Sequence, residues 1–172
     1  MPPVLAKSLR LLLVVSLAVV TLPLGAAADL PPGGTFTDDD GNTHEGDIEA
    51  IAAEDITKGC NPPFSDRYCP DENVTRGQMA AFIRRALELP DTNTDHFGDD
   101  NGTTFEADIN AIAEAGITKG CNPPDNDRYC PDDDVTRGQM AAFIRRALEL
   151  PHTDTDHFGD DNGTTFEADI NA

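Results

Sequence analysis

Four cysteines form two pairs with the same spacing. Eight residues separate Cys60 from Cys69, and eight separate Cys121 from Cys130. Outside the reducing cytoplasm, an even cysteine count at a repeated spacing predicts one disulfide within each loop, Cys60–Cys69 and Cys121–Cys130. Two alternatives remain: a zinc site, although C-x8-C is not a zinc-finger spacing, and a catalytic cysteine, although no histidine recurs beside either pair.

Two arginines, Arg76 and Arg137, occupy the same place in a repeated T-R-G-Q sequence. An arginine in the first turn of a helix lies beside free backbone N–H groups and the positive end of the helix dipole, so it can bind carboxylates or phosphates. Alternatively, the arginine is solvated and covers apolar surface with its stem. Both arginines are therefore candidate ligand-binding residues for an anion.

Acidic turns precede the first helix of each repeat, as in GDDNG at 98–102. Such a turn could bind calcium, but counting back from Gly102 places Phe97 where an EF-hand needs its first acidic ligand. A solvated Asp/Asn-Gly turn is the stronger interpretation, with an irregular calcium site as the alternative. We predict no metal and no cofactor. No nucleophile is paired with a base, so we also predict a segment that is not an enzyme.

The stretch from Ile56 to Pro90 recurs between Ile117 and Pro151 with four residues changed, which defines a repeat of 61 residues. We assign repeat 1 to 36–96 and repeat 2 to 97–157, after a linker at 29–35. Residues 158–172 match 97–111 letter for letter and are the start of a third, truncated copy. We expect the chain to be the N-terminal part of a longer protein.

Each repeat predicts two helices joined by a long loop, and hence an all-α fold. The first helix carries an apolar face and stops at Gly116 in repeat 2, where a left-handed residue is expected. Asp55 takes that position in repeat 1. The second helix is amphipathic from Met79 to Leu87 and cannot continue past Pro90.

A capping box predicts the start of each second helix. In this motif a threonine accepts a hydrogen bond from the backbone three residues on, and a glutamine reaches back. The capping residues are Thr75 and Gln78 in repeat 1, and Thr136 and Gln139 in repeat 2. Burial of one such helix face contributes about 1.5–3 kcal/mol for each large side chain; summed over these few side chains, this is less than the cost of ordering all 61 residues of a repeat at roughly 1.5 kcal/mol each. Neighbouring repeats must therefore share a core.

Residues 1–28 are predicted to be a secretory signal peptide. Lys7 and Arg10 precede an apolar run that ends before Pro23, and an A-x-A site follows at 26–28. An uncleaved anchor is the alternative, but the run is shorter than the roughly 20 residues that span a bilayer. We expect a secreted chain with no membrane partner after cleavage.

The chain has 12 basic and 32 acidic residues, a net charge of −20, and cleavage would remove two of the basic ones. Nucleic acid is an improbable partner for so acidic a protein. The basic residues of the mature chain are confined to 58–85 and 119–146. These segments therefore hold the cationic groups available to an anionic ligand.

Together these features resemble the S-layer homology (SLH) module, in a variant that contains disulfides. The matching features are an F-x-D opening at Phe36, Phe97 and Phe158, a helix ending in G-I-T at Gly116, the pairs K-G at 58–59 and 119–120, an aromatic-x-Pro-Asp segment at 68–71, and V-T-R followed by an A-A-F-I-x-R-A-L helix.

The resemblance implies that three consecutive repeats form a pseudo-threefold bundle that attaches a secreted protein to anionic cell-wall polysaccharide. The family's T-R-A-E motif supplies an arginine to the grooves between repeats. Arg76 and Arg137 match this arginine, while Gly77 and Gln78 depart from the alanine and glutamate. The leading hypothesis is a cell-wall or S-layer anchor. The alternatives are a self-associating S-layer or stalk segment without a sugar ligand, or the anchoring part of an enzyme whose catalytic domain lies beyond residue 172.

Overall fold

A computed structural model describes residues 34–153 and 155–172. The predicted signal peptide lies outside the described residues. Within them the chain forms helices and no strands, and the predicted all-α fold is confirmed. The helices are α1 (Glu45–Ala53), α2 (Arg76–Ala86), α3 (Glu106–Glu114), α4 (Arg137–Ala147) and α5 (Glu167–Ile170). None of these helices has the length and apolar character needed to cross a membrane.

The second helix of each repeat begins at the predicted capping box. The Gln78 N–H donates to the Thr75 hydroxyl at 3.3 Å, and the Thr75 N–H donates to the Gln78 side chain at 2.9 Å. The same pair of hydrogen bonds opens α4. Both helices end at an alanine before the predicted stop, because Glu88 and Glu149 adopt a left-handed backbone with φ of 51° and 52°. Leu87, predicted inside α2, is therefore its C-cap.

The first helix of each repeat ends in a left-handed residue, as the sequence suggests. These residues are Asp55 (φ 56°) and Gly116 (φ 73°). Glycine adopts this conformation without strain, whereas an aspartate is tolerated there less well. At the other end, a glutamate of the first turn closes the acidic turn, since Glu106 accepts a hydrogen bond from the Gly102 N–H at 2.6 Å.

Neighbouring repeats share one core. α2 packs against α3, and α4 packs against α5, so the second helix of one repeat covers the first helix of the next. Met79 and Ile83 of α2 are buried with Ile109 and Ile112 of α3 and with Phe143 of α4. We expected neighbouring repeats to share a core, and the buried cluster does contain residues from both sides of the repeat boundary at residue 97.

A glycine in the T-R-G-Q motif permits this packing. Gly77 is buried in the first turn of α2, and a Cβ there would lie 2.5 Å from Cδ2 of Phe105. Gly138 and Phe166 repeat the contact, with 2.7 Å between a Cβ and the ring. The ring of the next repeat therefore occupies the volume that any larger residue would need.

We expect Gly77→Ala to lower the melting temperature, because the clash with Phe105 outweighs the gain in helix propensity of about 1 kcal/mol. Overpacking of this kind costs about 1–3 kcal/mol. Gly46→Ala in α1 is the matched control, because a Cβ there meets nothing within 4 Å. Thermal unfolding followed by circular dichroism should show no loss for Gly46→Ala. Equal or higher stability of Gly77→Ala would contradict the proposed contact.

Candidate functional site

Each long loop is closed by a disulfide. Cys60 is bonded to Cys69 and Cys121 to Cys130, with Cα atoms 6.0 Å apart in both pairs, so the predicted local pairing is confirmed. Asp38 lies near the first pair and Asp99 near the second, as a third potential metal ligand. Because each sulfur is bonded to its partner sulfur, neither group offers the thiolates that a zinc site needs.

The F-x-D opening holds the disulfide loop of its own repeat. The Asp99 carboxylate accepts hydrogen bonds from the backbone N–H groups of Tyr129 and Cys130 at 2.7 and 2.9 Å. The rings of Phe97 and Tyr129 pack with centroids 5.5 Å apart. Burial opposes the charged form, but the two N–H donors prevail and lower the pKa of Asp99. Asp38 makes the same hydrogen bonds to repeat 1.

Arg76 lies in the boundary between the repeats and is 4% exposed. Its Nε donates to the Tyr129 carbonyl at 2.7 Å, and the Tyr129 hydroxyl donates to the Arg76 carbonyl at 2.8 Å. The guanidinium lies 4.6 Å from the centroid of the Tyr129 ring and 5.5 Å from that of Phe143. Burial lowers the pKa of Arg76, while Tyr129, Asp133 and Asp99 act in the opposite direction.

Backbone hydrogen bonds extend this contact along the start of α2. The N–H groups of Arg76 and Gly77 donate to the carbonyls of Asp133 and Pro131, both at 2.8 Å, and the Val135 N–H donates to the Val74 carbonyl at 3.0 Å. Donors at a helix start can bind an anion. In α2, carbonyls of repeat 2 already occupy them.

Arg137, the equivalent residue of repeat 2, is exposed and has no hydrogen bond, ion pair or ring contact within the described residues. The two arginines have the same neighbours in sequence; within the described residues Arg76 meets the tyrosine loop of the repeat that follows it, and the corresponding position for Arg137 lies beyond residue 172. Their roles as ligand-binding residues stay predictions. The structure places one of them inside the protein and the other at its surface.

The tyrosines of the disulfide loops are the site residues that sequence reasoning missed. Tyr129 is fully buried, and Tyr68 is half-buried beside Phe36 with ring centroids 5.6 Å apart. The signal was present in the sequence, because each repeat has a tyrosine directly before its second cysteine. Its packing partner, however, lies 53 residues away from Tyr129 in the chain.

A cavity of about 490 Å³ opens beside Tyr68 in repeat 1. Its walls include the rings of Tyr68 and Phe82, the Cys60–Cys69 loop and Phe105 of repeat 2. Lys58 and Arg85 also line it, and Arg85 donates to the Ile56 carbonyl at 3.2 Å. The cavity therefore combines aromatic surface, backbone acceptors and two cations.

One aspartate of each acidic turn is buried: Asp39, Asp100 and Asp161. Asp100 is 0% exposed, and neither of its carboxylate oxygens has a hydrogen-bond partner. Burial raises the pKa of Asp100 to about 6, and the nearby charges of Asp95, Asp99 and Glu106 act in the same direction. This carboxyl group therefore keeps its proton to a higher pH than an ordinary aspartate does.

Tyr129→Phe should lower the free energy of unfolding by about 1 kcal/mol, because it removes the buried hydrogen bond to the Arg76 carbonyl. Tyr68→Phe is the matched control, since the Tyr68 hydroxyl has no partner within the described residues. Urea unfolding of both variants measures the difference. If the two substitutions cost the same, the contact between Arg76 and Tyr129 does not stabilise the pairing of the repeats.

Asp100→Asn should be more stable than the parent at pH 7.5 and nearly equal to it at pH 4. The pKa of Asp100 is about 6 in the folded state, against 3.8 for an ordinary aspartate, so between these two pH values the folded state binds a proton that the unfolded state has lost. Stability from this group is thus lost as pH rises from 4 to 6, by roughly 2–3 kcal/mol. Thermal unfolding against pH tests this, with the exposed Asp125→Asn as control. If the difference in stability between Asp100→Asn and the parent does not change with pH, the raised pKa of Asp100 is contradicted.

No protein-family model matches the chain. The chain is 33% identical over 118 residues to an amylopullulanase of Thermoanaerobacterium thermosulfurigenes, which is 67% of this chain and 6% of that enzyme. It is 32% identical over 120 residues to endo-1,4-beta-xylanase A of Thermoanaerobacterium saccharolyticum, 69% of this chain and 10% of the enzyme. It is 27% identical to an endoglucanase of Bacillus sp. (strain KSM-635), across 95% of this chain and 18% of the enzyme.

The chain therefore spans less than a fifth of the length of these relatives. Their names denote enzymes that cleave polysaccharides. What they share with this chain is a small segment, and within the described residues that segment is a helical repeat stabilised by contacts between neighbours.

Proposed function

We propose that this chain is a non-catalytic, SLH-like module that anchors a secreted protein to anionic cell-wall polysaccharide. The observation that carries the proposal is the position of Arg137 in the first turn of a capped helix, beside the backbone N–H groups of the helix start, with its side chain exposed within the described residues. In a protein of net charge −20, such a group is a rare point of attraction for an anion. The segmental similarity to enzymes that act on polysaccharides supports the same function.

The two predicted ligand residues differ in how they could contact a glycan. Arg137 can bind a carboxylate or phosphate of the polymer without breaking any interaction within the described residues. To bind a glycan, Arg76 would first have to break its hydrogen bond to the Tyr129 carbonyl and its contacts with the rings of Tyr129 and Phe143. Losing these desolvated cation–π contacts is unfavourable. We therefore propose Arg137 as the glycan contact to test first, and we place Arg76 in the boundary between repeats 1 and 2.

Arg137→Ala should weaken sedimentation with purified cell walls by about tenfold, because a charge-assisted hydrogen bond contributes about 1.5–3 kcal/mol. Arg128→Ala is the matched control, since Arg128 is also exposed but lies 3.4 Å from the Asp99 carboxylate. Circular dichroism should show unchanged helix content for both variants. Walls stripped of polymers other than peptidoglycan should bind neither the parent nor the variants.

Unchanged wall binding by Arg137→Ala would remove Arg137 from the site. Equal binding to stripped and intact walls would overturn the polysaccharide ligand itself. The two outcomes separate an error about the residue from an error about the function.

Two observations favour the alternative functions. Within the described residues Ile144 and Leu148 of α4 are 46% and 58% exposed, and in a self-associating lattice or stalk a second copy would cover them as the following repeat covers Ile83, which is 8% exposed. The similarity to small segments of long enzymes favours the anchoring part of a secreted enzyme. Sedimentation of the chain in the absence of cell wall distinguishes a self-associating protein from a glycan-binding one.

A further inference from the structure

The acidic turn at 98–102 buries an aspartate where the sequence favours a solvated turn. Asp100 is 0% exposed, solvent reaches neither of its carboxylate oxygens, and neither oxygen has a hydrogen-bond partner. Among the described residues, Asp100 is the carboxylate with both oxygens in this state. A buried carboxylate is costly unless a proton, a hydrogen-bond donor or a cation compensates its charge.

A further buried oxygen without a partner lies just after this turn. The Thr103 hydroxyl is inaccessible to solvent and has no hydrogen bond within the described residues. The Thr103 N–H donates to the Asp100 carbonyl at 3.0 Å, so the backbone holds the two residues together before α3 begins. Two carboxylate oxygens and one hydroxyl are thus buried in one short segment.

The equivalent turn of the third copy shows how a side chain can satisfy such an aspartate. There the Asn171 Nδ2 donates to Asp161 Oδ2 at 3.0 Å. Asn110 is the matching residue of α3, and its Oδ1 accepts the His96 N–H at 2.9 Å, but it makes no hydrogen bond to Asp100. The second turn therefore lacks the donor that the third turn supplies from its own helix.

The charges around Asp100 favour a cation as its partner. Asp95, Asp99 and Glu106 all act on it, and Arg128 lies 3.4 Å from Asp99, with which it forms an ion pair. Carboxylate, hydroxyl and backbone carbonyl oxygens are hard ligands, and Ca²⁺ takes about 6–8 of them in a flexible arrangement. A calcium ion suits these groups better than a transition metal, which prefers nitrogen or sulfur ligands.

We propose that this segment is a calcium site in which both oxygens of Asp100 and the hydroxyl of Thr103 are ligands. Backbone carbonyls of the turn and water complete the coordination. An ion can enter from solvent, because Asn101, Gly102 and Thr104 are exposed. With one charged ligand, the affinity falls in the range of about 10⁻⁴–10⁻³ M that extracellular calcium modules show. The site uses none of the residues proposed to contact the glycan, so the two proposals can fail separately.

Calcium that binds the folded state alone should stabilise it. At pH 7.5, we expect about 10 mM Ca²⁺ to raise the melting temperature by about 5 °C or more above that of the protein in a chelating buffer. Mg²⁺ at the same concentration gives the same ionic strength. It should raise the melting temperature by less than about half as much, because Mg²⁺ demands a regular octahedral shell.

Variants of the protein locate the ion. Asp100→Asn should weaken calcium binding by about tenfold or more in a calorimetric titration, because it removes the charged ligand. Thr103→Val keeps the shape of the side chain without the hydroxyl, so it should weaken binding several-fold. Thr104→Val is the matched control, since Thr104 is the exposed neighbour. It should bind calcium like the parent.

Equal stabilisation by Ca²⁺ and Mg²⁺, or undiminished calcium affinity in Asp100→Asn, would overturn the proposal. The effect of the ions would then be the screening of a chain of net charge −20. Full affinity in Thr103→Val would overturn the assignment of the hydroxyl as a ligand.

Discussion

The reciprocal contact between Arg76 and Tyr129 is the constraint on which the rest of the structure depends. Each residue donates to the backbone carbonyl of the other, and the guanidinium lies over the ring. The disulfide and Asp99 fix the loop that presents Tyr129, and the capping box fixes the turn that presents Arg76. Each of these local features lies within one repeat, and together they form the contact between the two repeats.

The sequence predicts what depends on nearby residues. Thr75 and Gln78 are three positions apart and form their capping box, and Cys60 pairs with Cys69 in the same loop. It does not predict which neighbour a side chain meets. The letters around Arg76 do not show that it is buried, because the tyrosine loop that covers it lies 53 residues further along. Gly77 is likewise explained only by Phe105.

The charged side chains also differ in whether they have a partner within the protein. Backbone donors lower the pKa of Asp38 and Asp99, whereas burial without a hydrogen-bond partner raises the pKa of Asp100. Arg84 and Arg145 are paired with aspartates of the following repeat, Asp108 and Asp169. Within the described residues, most arginines therefore contact carboxylates, carbonyls or rings of the fold itself.

The short span of each disulfide has a consequence for how such a chain matures. The two cysteines of each pair lie nine positions apart, so a loop can oxidise as soon as its own residues reach an oxidising environment. Adding further repeats would not multiply the wrong pairings that a chain samples, provided that each loop closes before the next one emerges. The disulfides can therefore form one repeat at a time, whereas the noncovalent contact between Arg76 and Tyr129 forms only when both repeats are present.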